Sequence, residues 1–132
     1  MQSHILISKI IVCISTLFLI AGCNEKKDSE NQITITVRSV DSKTKNPRIN
    51  MFDTIVIRKE GIGYLTKTYT KVGEYITDST GSVKIKVDRN EGYIFLLSRM
   101  GVYGSENFAE AFTKEKLKDG QIVNIKAIPI DQ

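Results

Sequence analysis

The chain has one histidine and two cysteines in 132 residues, and His4, Cys13 and Cys23 all fall within the first 23 positions. From Asn24 to Gln132 there is no imidazole and no thiol. That removes the base that activates a serine or cysteine nucleophile. It also removes the nitrogen and sulfur ligands on which zinc and copper sites depend. Cys23 is the only cysteine from position 14 onward. A disulfide within that segment is excluded, and stability must come from packing and sheet pairing. Long hydrophobic runs are also missing. The main apolar run, Ile10 to Ile20, falls short of the about 20 residues that a membrane-spanning helix needs. Charge is not concentrated either. Of the charged residues only Lys9 precedes position 23, which leaves a charge of about +3 scattered over the rest. A mixed, mildly basic surface favours solubility. Without massed lysines or a stacked aromatic platform, a nucleic-acid partner is not expected.

What is present begins with Lys9, the apolar run and the ending Ile20-Ala21-Gly22-Cys23. The run has the length of a signal-peptide core, about 7–15 residues. Ala21 and Gly22 leave an unhindered backbone for a peptidase. An uncleaved anchor or a buried helix would give this small-small-Cys ending no purpose. Met1 to Cys23 resembles a bacterial lipoprotein signal peptide. The resemblance implies that residues 1–22 are removed and that Cys23 carries the lipid, such as palmitate. Asn24 to Asn31 contains nothing apolar, so it cannot offset the entropy of ordering itself. Residues 23–31 read as a lipidated tether. The cluster Lys26-Lys27-Asp28-Ser29-Glu30 resembles the acidic export signals of some Bacteroidetes lipoproteins, and a plain soluble linker has the same composition. The expected location is the bacterial cell envelope, at the outer membrane, with the lipid as membrane partner. If the cluster acts as an export signal, the domain faces the cell surface.

Residues 32–132 read as one domain, long enough for a modest core. Ile33, Ile35 and Val37 alternate with Thr34, Thr36 and Arg38, the pattern of a half-buried strand. Asp41 to Pro47 is a polar loop closed by proline. Thr54 to Arg58 is β-branched and apolar, with Glu60-Gly61-Ile62-Gly63 as its expected break. Tyr64 to Lys71 suits an edge strand, and Glu74 to Thr77 is a short extended piece. Asp78-Ser79-Thr80-Gly81 is a turn with Gly81 at positive φ. Ser82 to Val87 should point Val83, Ile85 and Val87 inward. Tyr93 to Leu97 is apolar on both faces, which suggests the central, most buried strand. Gln121 to Pro129 closes the chain with Val123, Ile125 and Ala127 inward. Met100 to Gly120 has no clear period; Phe108 to Phe112 fits a short strand or a helical turn, and Gly101-Val102-Tyr103-Gly104 reads as a loop. The expected fold is all-β, a single small β-sandwich of about seven strands, transthyretin-like or Ig-like.

The order of signals resembles the transthyretin-like sandwich of carboxypeptidase regulatory-like domains. The matching positions are Val37 to Asp41, Asn46-Pro47-Arg48-Ile49, Thr77-Asp78-Ser79-Thr80-Gly81-Ser82-Val83-Lys84-Ile85 and Gly92-Tyr93. Two departures are Arg38-Ser39 where the family has a glycine, and the long stretch from Thr54 to Tyr75. The resemblance implies a binding or structural module and no reaction.

The remaining candidates for chemistry are carboxylates. Asp78 and Asp88 flank one expected strand, with Glu91 nearby. Turn carboxylates ordinarily cap their own turn's amides. Asp88 to Gly92 lacks the further ligands of a calcium loop, and Gly61-Ile62-Gly63 lacks the context of a phosphate loop. No enzyme activity, metal or cofactor is expected. Exposed tyrosines can form a binding face, which makes Tyr64, Tyr69 and Tyr103 the candidate contact residues, unless they pack across strands. The leading expectation is a lipid-anchored module that binds or scaffolds an envelope protein or glycan. The alternatives are a component of an envelope assembly, as a transthyretin-like lipoprotein is in type VI secretion, a toxin-neutralising lipoprotein, or a hydrolase using carboxylates alone. Exposed aromatics in a row would favour a glycan, and a contiguous apolar patch would favour assembly.

The anchor is testable in cells. Cys23→Ser should abolish incorporation of a palmitate analogue and leave the signal segment uncleaved. A variant still labelled at wild-type level would rule out lipidation at Cys23.

Overall fold

The computed structural model describes residues 30–113 and 115–130. The signal segment, Cys23 and most of the tether lie outside them. The described chain forms seven strands and no helix: β1 (Gln32–Asp41), β2 (Thr54–Ile62), β3 (Lys67–Ile76), β4 (Ser82–Asp88), β5 (Tyr93–Arg99), β6 (Val102–Asn107) and β7 (Ile122–Pro129). They form one curled sheet in the order β3-β2-β5-β6-β7-β1-β4. The fold is the all-β sandwich expected.

All pairings are antiparallel except β1 with β7. The parallel pair joins the first and last strands, matching Thr36 to Ile122 and Asp41 to Ala127. The sheet folds over where β6 meets β7, pairing Val102 with Pro129 and Tyr103 with Ile128. A Cβ on Gly104 would lie 2.3 Å from the Lys126 carbonyl oxygen. Only glycine lets the two backbones approach this closely.

Alternation sends Ile33, Ile35, Val37, Ile55, Ile57, Ile85, Val87, Phe95, Leu97, Val123 and Ile125 into one core. Phe95 is fully buried, with the Phe108 ring edge-on at 6.1 Å. Leu117, from the β6–β7 connection, closes one end of the core. Gly81 has φ 77°, as its turn required, and a Cβ there would meet the Arg48 carbonyl oxygen at 2.9 Å.

Three expectations need correction. β2 does not break at Glu60 but runs on to Ile62, because β3 pairs with it throughout. The pieces Tyr64–Lys71 and Glu74–Thr77 are one edge strand from Lys67 to Ile76, with a register shift opposite Ile57/Arg58. Tyr64 therefore sits in a hairpin tip, not in a strand. Gly101 to Gly104, expected as a loop within a stretch of no clear period, instead runs into β6 (Val102–Asn107), the middle strand of the sheet. β5 is interior to the sheet, but its outward Ile94 and Leu96 are only half-buried.

The loop from Ser42 to Asp53 is held by one buried carboxylate. Asp53 has no exposed surface, and it accepts hydrogen bonds from Ser39 Oγ at 2.7 Å and Arg48 Nε at 2.8 Å. Arg99 Nη1 approaches its other oxygen at 3.3 Å and also donates to the Met51 carbonyl. The Asp53 backbone carbonyl accepts from Thr77 N at 2.9 Å. This hub ties β1, the loop, β2, the β3–β4 turn and β5 together. It also holds Phe52 at φ 50°, a conformation that costs a non-glycine residue about 1–2 kcal/mol. Burial alone would push the Asp53 carboxyl up. The hydrogen bonds from Arg48 and Ser39 and the charges of Arg48 and Arg99 outweigh that, and hold it below its ordinary value.

A carboxyl depressed in the fold stabilises above its unfolded pKa, and that stabilisation is lost as pH falls through the folded value. Asp53→Ala should cost about 3–5 kcal/mol, because it leaves Arg48 largely buried and unpaired. The wild-type urea midpoint should fall as pH drops below the ordinary aspartate range, and the fall should be smaller in Asp53→Asn. Equal acid sensitivity in both would show that Asp53 does not carry this linkage.

Candidate functional site

Two surfaces stand out, at opposite ends of the strands. The first is built by the β2–β3 hairpin, the β4–β5 turn and the segment after β6. β2 pairs with β5 only as far as Lys59, opposite Tyr93. Glu60, Gly61 and Ile62 overhang, paired with β3 alone. Gly63 N donates to the Thr66 carbonyl at 2.9 Å and closes the tip. Tip residues Ile62 and Tyr64 are 100% exposed and Leu65 87%. Scattered exposed hydrophobes are ordinary, whereas these three cluster on one protruding tip.

Beneath the tip lies a cleft of about 640 Å³ lined by Glu60, Lys67, Asn90, Glu91, Phe108 and Glu110, among others. Glu60 is its organising group, with a side chain 10% exposed. Its Oε2 accepts Glu110 N at 2.6 Å, and Lys67 Nζ lies 2.5 Å from its Oε1. The latter is an ion pair rather than a well-directed hydrogen bond, since Oε1 has no donor in good geometry. Lys67 Nζ also donates to Glu110 Oε2 at 3.0 Å, and Lys59 pairs with Glu91 at 2.8 Å. The Lys67 ammonium first, and the Glu110 amide after it, hold the Glu60 carboxyl below its ordinary value against the effect of burial. Glu60 in turn, with Glu110, raises Lys67. A carboxylate kept ionised by its own lysine braces the hairpin and is poorly suited to donate a proton.

The other carboxylates cap turns. Asp78 Oδ1 accepts Thr80 N at 2.8 Å and the Thr80 hydroxyl at 2.6 Å. The hydroxyl and the Ser82 and Thr80 amides hold its carboxyl low. Asp88 Oδ1 accepts Asn90 N at 2.8 Å. Asp78 lies in the turn before β4 and Asp88 is the last residue of β4, which sets them about 20 Å apart at about 3.3 Å per residue. That is too far for a catalytic pair, whose carboxyls are about 5–9.5 Å apart. Among the described residues no group of three or more His, Cys, Asp and Glu side chains could hold a metal ion.

The second surface is the outer face of β3, β2, β5 and β6. Register places Ile76, Thr54, Ser98 and Tyr103 in one row, and Glu74, Val56, Leu96 and Ser105 in the next. Ile128 adjoins Tyr103 from β7. Ile76 is 64% exposed, Tyr103 54% and Ile128 37%, while Val56, Ile94 and Leu96 are half-buried. Nothing in the described chain covers this face.

The structure separates the three tyrosines. Tyr64 is at the tip, and Tyr69 packs on Phe112 with ring centroids 5.7 Å apart. Tyr103 lies at the other end of the strands, about 20 Å from the Tyr69 row by the same strand rise. They do not form one face. Sequence reasoning missed Ile62, Leu65, Phe112 and the apolar row around Tyr103. The available signal was apolar residues beside glycine in a hairpin, where polar ones are usual.

No protein-family model matches the chain, and no curated protein matches it. Among solved structures, the C-terminal domain of the shaft pilin SpaA from Lactobacillus rhamnosus GG is similar, with TM-score 0.50 and 14% identity over 75% of this chain and 98% of that one. The likeness supports the all-β sandwich and concerns the fold alone. A 9R-lipoxygenase from Cyanothece aligns with TM-score 0.44 and 16% identity over 77% of this chain and 18% of that one. This second likeness is too weak to carry an argument.

Glu60→Ala should loosen the hairpin locally. Hydrogen exchange should quicken at the Glu110 amide and across residues 61–68, with little change at β1 or β7. Acid should do the same to the wild type, since the ion pair fails once pH falls through the lowered Glu60 pKa. Unchanged exchange in Glu60→Ala would show that the Glu60–Lys67 pair does not brace the tip.

Proposed function

We propose that the chain is a lipid-anchored, non-catalytic component of a bacterial envelope assembly, built on a transthyretin-like sandwich. The observation that carries this reading is the uncovered outer face, where Ile76, Tyr103 and Ile128 are exposed and Val56, Ile94 and Leu96 half-buried among Thr54, Ser98, Glu74 and Ser105. An antiparallel sheet can leave one face to water, but that face is then mostly polar. Apolar side chains interspersed among polar ones on an uncovered sheet face suit a protein partner, and Tyr103 near its edge is the residue type that anchors such contacts. The scattering of the tyrosines argues against a glycan platform. The ionised, lysine-bound Glu60 and the turn-capping aspartates argue against a carboxylate hydrolase. Lipid at Cys23 would keep the domain at the outer membrane, on the cell surface if the cluster at Lys26 to Glu30 acts as an export signal.

The test uses affinity capture from envelope extracts with the full-length protein. Ile76→Lys combined with Tyr103→Ala should abolish capture of the partner while leaving the circular dichroism spectrum and urea midpoint unchanged. A partner retained at wild-type level by this variant would refute the face. Turnover of a substrate lost on Glu60→Gln would refute the non-catalytic reading.

A further inference from the structure

The exposed hairpin tip and the start of the domain lie at the same end of the sandwich. Arg89 N donates to the Asn31 carbonyl at 2.9 Å, and Gln32 pairs with Asp88, which places the entry of β1 beside the β4–β5 turn. Glu60 N donates to the Gly92 carbonyl of that same turn at 2.9 Å. From Glu60 the hairpin runs past the turn and carries Ile62, Tyr64 and Leu65 to its tip. The chain therefore enters the domain within one turn of the base of its most exposed apolar projection.

We infer that this tip seats in the interface of the membrane to which the chain is tethered, and so holds the domain upright with its strands pointing away from the bilayer. The inference rests on the reading of Cys23 as the lipidated residue. The seven residues between Cys23 and Asn31 make eight steps along the chain, which reach at most about 28 Å when fully extended. A lipid on Cys23 thus confines the tip to a thin shell above the membrane. There the bilayer is at high effective concentration, and a small apolar contact is enough. Tyrosine is a residue of the membrane–water boundary, with an apolar ring and a polar hydroxyl, and Ile62 and Leu65 supply the apolar insertion. Lys59 and Lys67, the lysines flanking the tip, are each paired with a glutamate. The contact is therefore apolar rather than an attraction to anionic lipid. Seated this way, the domain directs the outer face of β3, β2, β5 and β6 sideways, along the membrane plane.

The chain has no tryptophan, so Leu65→Trp introduces a single reporter, and Ile49→Trp, in the loop at the far end, is its control. Both variants of the full-length protein are processed in cells, purified and reconstituted into vesicles of phosphatidylethanolamine and phosphatidylglycerol that carry a phosphatidylcholine brominated on its acyl chains. An apolar tip seated about 5–10 Å into the boundary predicts blue-shifted emission and roughly twofold quenching for Leu65→Trp, none for Ile49→Trp, and no relief of quenching by salt. Unquenched Leu65→Trp on vesicles that the protein floats with would overturn the inference. So would quenching that vanishes in salt, or a blue shift that appears only when envelope proteins are added, which would assign the tip to a protein partner. The mass of the Cys23 peptide is read separately. Quenching in a chain without an acyl group would overturn the lipid anchor and support the tip contact.

Discussion

The Asp53 carboxylate is the interaction on which the rest of the fold depends. A charge with no exposed surface is tolerable only if its partners replace the water it loses. Here the carboxylate's partners come from three parts of the chain, Ser39 on β1, Arg48 in the following loop and Arg99 at the end of β5, while Thr77 after β3 is tied to the Asp53 backbone carbonyl. None of these is close to Asp53 in sequence except Arg48. The hub therefore forms only when the two halves of the sandwich are in register. It converts a long polar loop into a fixed corner, and it offsets the strain at Phe52.

That arrangement makes the two ends of the molecule unlike. At the Asp53 end the backbone is bonded across several elements, and Gly81 is pressed against Arg48. At the other end β2 and β3 overhang the sheet, braced by Glu60, Lys67 and Glu110 near the surface. Lys67 and Glu110 reach solvent, where water screens their charges, so these pairs contribute little to stability. They set the direction of the hairpin more than the stability of the fold. The corner and the projecting apolar tip are thus positioned by different parts of the sheet.

Strands with strict alternation are legible from residue order alone. The inward rows of β1, β4 and β7 are mostly Ile and Val at every second position, and a one-residue slip would turn each row to water. Turns closed by Asp41, Asp78 and Asp88 are legible because each side chain can accept an amide two residues on. β6 is not. Its sequence, Val-Tyr-Gly-Ser-Glu-Asn, has poor strand propensity, and it is a strand because β5 and β7 hold it on both sides. Gly104 explains the concealment, since the residue that weakens the pattern is the one that lets β7 approach. The continuation of β2 through Gly61 is hidden for a similar reason, because pairing with β3 overrides a local breaker.

The candidate contacts divide in the same way. Tyr64 and Tyr103 can be named from residue type, but their separation to opposite ends of the strands follows from strand order and register. By itself the sequence determined the all-β class, the inward rows of β1, β4 and β7 and the capped turns, because alternation and turn chemistry act between near neighbours. Only the tertiary structure decided that Asp53 is buried, that β6 is a strand, that Ile62, Tyr64 and Leu65 project beside the entry of the chain, and that the face around Tyr103 stays uncovered. Each of those depends on residues far apart in sequence being brought together, and no local pattern encodes that.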